Sequence, residues 1–92
     1  TLTLDATVSN PTAKDLPYGF GIHPYFRLPL SAEGDPKRTE VIIPAGEFWE
    51  LEAFLPTGRR VPVDPRLDFR GGQPIAGLKL DDVLTGLVPP LG

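Results

Sequence analysis

The sequence predicts an all-β chain, an antiparallel β-sandwich or barrel, on three observations. Ten glycines and twelve prolines are spread through the 92 residues, leaving hardly any interval long enough for an ordinary helix. Between them, apolar and polar residues alternate with period two, the signature of half-buried strands. The strand candidates are short and bounded by turns, which is the spacing of a sandwich or barrel.

The first candidate is TLTLDATVS, where Leu2, Leu4, Ala6 and Val8 share one face and Thr3, Asp5, Thr7 and Ser9 the other. Asn10-Pro11 ends it, because a residue before proline is extended and asparagine favours turns. The second candidate runs from Phe20 to Leu28. Alternation puts Phe20, Ile22, Phe26 and Leu28 on its apolar side and Gly21, His23, Tyr25 and Arg27 on its polar side. Pro24 carries no N–H, so an edge, a bulge or a strand end is expected there. Ser31 to Arg38 reads as a surface loop, and TEVIIPA after it as a short apolar strand. From Phe48 onward, Trp49, Leu51, Ala53 and Leu55 alternate against Glu50 and Glu52 until a turn at Pro56-Thr57-Gly58. Arg59 to Gly77 is punctuated by proline and expected to be extended and loop-rich, with RGGQP as a turn. In LKLDDVLTGL, Leu78, Leu80 and Leu84 alternate against Lys79, Asp81 and Val83.

Composition narrows the chemistry. A chain of 92 residues is one small domain or a piece of a larger one, and at that size folding buries only roughly 60 to 65% of the unfolded surface. Cysteine is absent, which removes disulfides and thiolate chemistry, and one histidine cannot build a multi-histidine zinc site. No cofactor is expected. The net charge of −3 with both signs interspersed gives no footprint for nucleic acid or an anionic membrane. No apolar run approaches a membrane span, and the N-terminus lacks the layout of a signal peptide. A cytoplasmic location is the expectation, compatible with the missing cysteines.

His23, on the polar side, can give or take a proton, and its aromatic neighbours offer a flat surface to a ring-shaped ligand. The alternative is a structural histidine bonded to a backbone group. Gly19 and Gly21 are expected to leave room for another backbone or a ligand. Phe26 is expected in the core, with Tyr25 on the opposite face. By alternation Asp81 lies on the polar side and Asp82 on the leucine side, so the two cannot share one cleft. Trp49, in phase with Leu51 and Leu55, is expected to be core. Asp68 and Arg70 are expected to tie loops together by charge-assisted hydrogen bonds, and Arg59 and Arg60 to be solvated. RGGQ has neither spacing of a phosphate-binding loop.

NPTAKDLPYGFGIHPYFRLP resembles the aldose 1-epimerase (galactose mutarotase) family, whose members carry an asparagine, a spacer, a proline, then Gly-x-x-His-Pro/Thr-Tyr-Phe followed by a leucine. LPTGRRVPVDPRLDFR is similar to the family's Pro-Thr-Gly turn and downstream Asp-Phe-Arg, and LDDVLTGL to its ligand-binding aspartate strand. These blocks occur in order over most of the chain. The resemblance implies a supersandwich of antiparallel sheets and an enzyme that interconverts the α and β anomers of an aldohexose such as glucose or galactose. Carried over by position, His23 is the acid that protonates the ring oxygen, Asp81 holds sugar hydroxyls, and Tyr25 lines the sugar site.

The resemblance also implies parts that this chain does not match. Family members are considerably longer, with a glutamate base near the C-terminus and an arginine and a second histidine upstream of the His-Pro-Tyr-Phe block. Glu33, Glu40, Glu47, Glu50 and Glu52 do not match the base. The expectation is therefore the middle part of one β domain over residues 1–92. Such a chain is expected to be nearly inactive alone and to associate through unpaired sheet edges or with the remainder of a parent chain. Its partner is a small sugar. Competing readings are a non-catalytic carbohydrate-binding module, a mutarotase for phosphorylated hexose with Arg27 as the one arginine near the motif, and a purely structural β domain.

Overall fold

The computed structural model describes residues 1–88, so the last four residues of the expected 1–92 unit lie outside the described residues. Among the described residues, five strands and one short 3₁₀ turn, Pro36–Arg38, make up the regular structure: β1 (Glu40–Val41), β2 (Ala45–Glu52), β3 (Leu55–Pro62), β4 (Gln73–Pro74) and β5 (Leu84–Leu87). All pairings are antiparallel, so the all-β class read from the sequence is the class the chain adopts.

β2 carries Phe48, Trp49 and Leu51, side chains that suit a pleated, half-buried surface. It is the centre of a three-stranded sheet ordered β3-β2-β5, while β1 and β4 form a separate two-stranded ladder. On the β5 side, Ala45 faces Leu87, Glu47 faces Thr85 and Phe48 faces Leu84. The same register continues beyond the strand: the Trp49 N–H donates to the Val83 carbonyl at 2.9 Å and the Val88 N–H to the Pro44 carbonyl at 2.8 Å. The expected strand over 78–87 is thus only Leu84–Leu87: its pairing with β2 stops at Phe48–Leu84, although β2 itself continues to Glu52.

The β2–β3 hairpin turns at Ala53-Phe54, not at Pro56-Thr57-Gly58 as the sequence suggested. Both turn residues have positive φ, 49° and 66°, the left-handed geometry that suits the right-handed strand twist of a two-residue hairpin. Pro56-Thr57-Gly58 instead lies within β3. There the partner of Leu51 is Pro56 but the partner of Trp49 is Arg60, so β3 carries two extra residues opposite Glu50. Gly58, at φ 91°, absorbs the bulge. An even insertion keeps alternation in phase, so Trp49 and Arg60 stay on one face. Glu50 staples the bulge, accepting from the Thr57 hydroxyl at 2.8 Å and the Arg59 guanidinium at 3.0 Å.

The turn makes a testable prediction. A left-handed side-chain residue costs about 1–2 kcal/mol, while glycine's extra unfolded-state entropy costs about 0.4–1 kcal/mol. Phe54, 88% exposed, loses little packing on replacement. Phe54→Gly is expected to stabilise the hairpin by about 0.5–1 kcal/mol, raising the urea midpoint followed by Trp49 fluorescence. A lowered midpoint would mean that Phe54 packs on something.

Ala45, Leu67 and Phe69 are the fully buried apolar residues among those described. Phe69 organises its surroundings through its backbone as well, since its carbonyl accepts the Ile43 N–H at 3.1 Å and the Gly72 N–H at 3.2 Å. The second bond closes the RGGQP turn that the sequence predicted. The Gln73 amide then donates to the Asp68 carbonyl at 2.8 Å and the Pro65 carbonyl at 3.2 Å, pinning the loop before it. Asp68 and Arg70, expected to join separate loops, pair across this one turn at 2.8 and 2.7 Å because Phe69 between them points inward. The Arg70 guanidinium, followed by the Arg70 backbone N–H, holds the Asp68 carboxyl at about 2, below its ordinary 3.8. A depressed folded pKa stabilises above the unfolded value and is lost as pH falls through the folded one. The Asp68 carboxyl is therefore expected to titrate near pH 2 by carbon NMR; a midpoint near its ordinary value would contradict the pairing.

The first 28 residues depart from expectation. TLTLDATVS and Phe20 to Leu28 form no strand, and every residue from Thr1 to Leu28 is exposed. Alternation supplies a face, but a strand also needs a neighbour for its N–H and C=O groups, and among the described residues no segment pairs with either run. Phe26, expected in the core, is 69% exposed. The Asn10 turn does form: its side-chain oxygen accepts from the Thr12 N–H at 3.0 Å and its amide donates to the Lys14 carbonyl at 2.6 Å. The loop Ser31 to Arg38 also behaves as read, with Asp35 capping the 3₁₀ turn through the Lys37 N–H at 2.9 Å. The extended first third shows in the dimensions. The Cα radius of gyration is 17.0 Å, against about 12 Å for a compact chain of this length. The accessible surface is 8342 Å², against about 5,200 Å² for a self-contained globule of this mass.

Candidate functional site

His23 lies in the extended segment between Gly21 and Tyr25, open to solvent. In extended backbone, residues two apart project to the same side, and the His23 and Tyr25 rings meet with centroids 5.0 Å apart at 44°. Tyr25 is 90% exposed. This is the aromatic–imidazole pair the sequence placed on one face. The cleft expected around it is not walled by the described residues, since the residues from Thr1 to Leu28 are all exposed. A Cβ built on Gly19 or Gly21 would meet nothing within 4 Å, so no backbone approaches them as expected. Two shallow hollows elsewhere, about 440 Å³ beside Ala53 and Pro56 and about 420 Å³ beside Asp35 and Arg38, contain none of the predicted site residues.

The second predicted element is the Asp81-Asp82 pair, immediately before the ladder bond from Trp49 to Val83. Asp81 is exposed and Asp82 half-buried, the division that alternation predicted. The buried side is held by a residue the sequence did not single out. Arg66 donates Nη1 to Asp82 Oδ2 at 3.3 Å and Nη2 to Asp82 Oδ1 at 3.2 Å, a two-pronged contact across 16 positions. The hydrogen bond and charge of Asp82, with a smaller contribution from Asp64, raise the Arg66 guanidinium above its ordinary value. Asp64-Pro65 was a legible turn signal; the distant partner was not.

Two glutamates of the central strand, Glu47 and Glu50, are paired with arginines. Arg60 donates Nη2 to Glu47 Oε2 at 2.7 Å, and its guanidinium sits 5.8 Å from the Trp49 ring centroid. Arg59 binds Glu50 at 3.0 Å. Both arginines are exposed to solvent, as expected, and each also pairs with a glutamate across the hairpin. Trp49, expected in the core, is half-buried beneath Arg60.

Among the described residues, no group of three or more His, Cys, Asp or Glu side chains is placed to hold a metal ion, and no helix is long and apolar enough to cross a membrane. Searches among curated proteins and among solved structures found no match. The family model of aldose 1-epimerase matches residues 1–86. That span contains the His23-Tyr25 pair, the hairpin, the Arg66 loop and the aspartate pair, and it shows that the chain belongs to the aldose 1-epimerase family.

Proposed function

We propose that this chain supplies the proton donor and one sugar-binding carboxylate of a mutarotase that interconverts the α and β anomers of an aldohexose such as glucose or galactose. The family match across residues 1–86 carries the reading, and the exposed His23-Tyr25 pair is compatible with it. In the reaction a base takes the proton of the anomeric hydroxyl while an acid delivers one to the ring oxygen. The C1–O5 bond breaks, the aldehyde rotates, and the steps reverse with the other face attacked. His23 is assigned the acid, since an imidazole can give and regain one proton without a cofactor. Asp81 is assigned to accept from sugar hydroxyls, and Tyr25 to line the ring.

A second reading is favoured by the glutamates. Glu47 and Glu50 are engaged by Arg60 and Arg59, which takes them away from base chemistry and leaves this chain suited to binding alone. Titrating it with galactose and with glucose while following the His23 and Tyr25 ring protons tests both readings. Saturable shifts of both rings are expected. Shifts confined to other residues would remove the pair from the site, and no shift with either sugar would remove the proposal.

A further inference from the structure

We propose that Arg66 is a positioning residue for the sugar carboxylate: by clamping Asp82 it selects Asp81, and only Asp81, as the carboxylate offered to sugar hydroxyls. The inference rests on the sugar-binding reading above and deepens it.

Two adjacent aspartates are ambiguous as ligands, since either accepts hydroxyl hydrogen bonds. Arg66 removes the ambiguity. Its two nitrogens occupy both oxygens of Asp82, at 3.2 and 3.3 Å, in the fork geometry that guanidinium and carboxylate share. With Asp82 held on that side, Asp81 remains on the exposed side. The clamp is itself anchored. The Asp64 side chain accepts the backbone N–H groups of Arg66 at 2.9 Å and Leu67 at 3.1 Å, forming the turn that presents Arg66. Leu67 is fully buried, and Gln73 holds the Pro65 carbonyl at 3.2 Å. From the other direction, Val83 is fixed to the central strand through the Trp49 N–H at 2.9 Å. Asp82 therefore stands between two fixed points, the buried Leu67 turn and the end of the β2–β5 ladder. An exposed ion pair contributes little to stability. Its geometric consequence for the neighbouring carboxylate is what matters here.

The test is galactose and glucose titration of this chain by NMR, with Arg66→Ala, Asp82→Asn, Arg66→Lys, Asp81→Asn and the Arg66→Ala/Asp81→Asn double variant. Asp81→Asn is expected to weaken binding about tenfold or more, as for loss of a hydrogen bond to a charged group. Arg66→Ala and the isosteric Asp82→Asn are expected to weaken it about three- to tenfold, with Arg66→Lys recovering part of the loss. The double variant is expected to bind no worse than Asp81→Asn alone, because Arg66 acts through Asp81. A merely structural role would instead add the two losses and lower the urea midpoint with them. Arg66→Ala binding as tightly as the wild type, or strictly additive losses, would overturn the inference. Absence of binding by the wild-type chain would overturn the sugar reading itself and the inference with it, and that outcome is recognised in the first titration.

Discussion

Replacing Phe69 by alanine is expected to leave the chain without a cooperative fold. Phe→Ala in a core costs about 3–5 kcal/mol through lost transfer energy and the cavity left behind. A chain of this length has at the usual per-residue scale about 5–14 kcal/mol in total, and this one, with Ala45, Leu67 and Phe69 as its fully buried residues among those described, belongs at the low end. Phe69 also fills the turn that places its carbonyl for Ile43 and Gly72, so the β1–β4 ladder and the loop carrying Arg66 loosen together. Amide dispersion and the urea transition of Trp49 report the loss. Phe26→Ala is the matched control: at 69% exposure it is expected to change stability by less than about 0.5 kcal/mol. Equal losses from the two substitutions would show that the segment around His23 is packed.

Replacing His23 by alanine is expected to reduce mutarotation about a hundred- to ten-thousand-fold, the usual contribution of one positioned general acid. The experiment uses the longest reading frame containing this chain, because the family's base is matched by none of its glutamates. Sugar affinity is expected to change far less than the rate, since an acid acts on the proton moved in the transition state rather than on the bound ring. Asp81→Asn is expected to show the opposite division, with weaker binding and a smaller loss of turnover at saturation. Polarimetry over a range of sugar concentrations separates the two. Parallel losses in both parameters for His23→Ala would assign it to binding instead of proton transfer.

What could be read in the sequence was what depends on neighbours close along the chain. Strand alternation at Phe48 to Leu51 identified β2, and the i, i+2 relation placed His23 and Tyr25 side by side even though their segment forms no strand. The same logic overreached at Leu2 to Val8 and Phe20 to Leu28: period two describes a face, whereas a ladder requires a partner that alternation does not name. Pro56-Thr57-Gly58 has turn chemistry, yet β3 uses it as a bulge because Ala53 and Phe54 accept the left-handed conformation. Arg66 was invisible for a different reason. Its meaning comes from Asp82, brought to it only by the buried Leu67 turn and the β2–β5 register.

On the proposed function, this chain carries proton-transfer and binding groups of a sugar mutarotase. Exchange between the α and β anomers of galactose and glucose, followed by magnetisation transfer with the longest reading frame containing the chain, tests it most directly. Accelerated exchange with at least one of the two sugars, abolished by His23→Ala, is the predicted result. Exchange no faster than in buffer, with a folded protein and both sugars at saturating concentration, would contradict it.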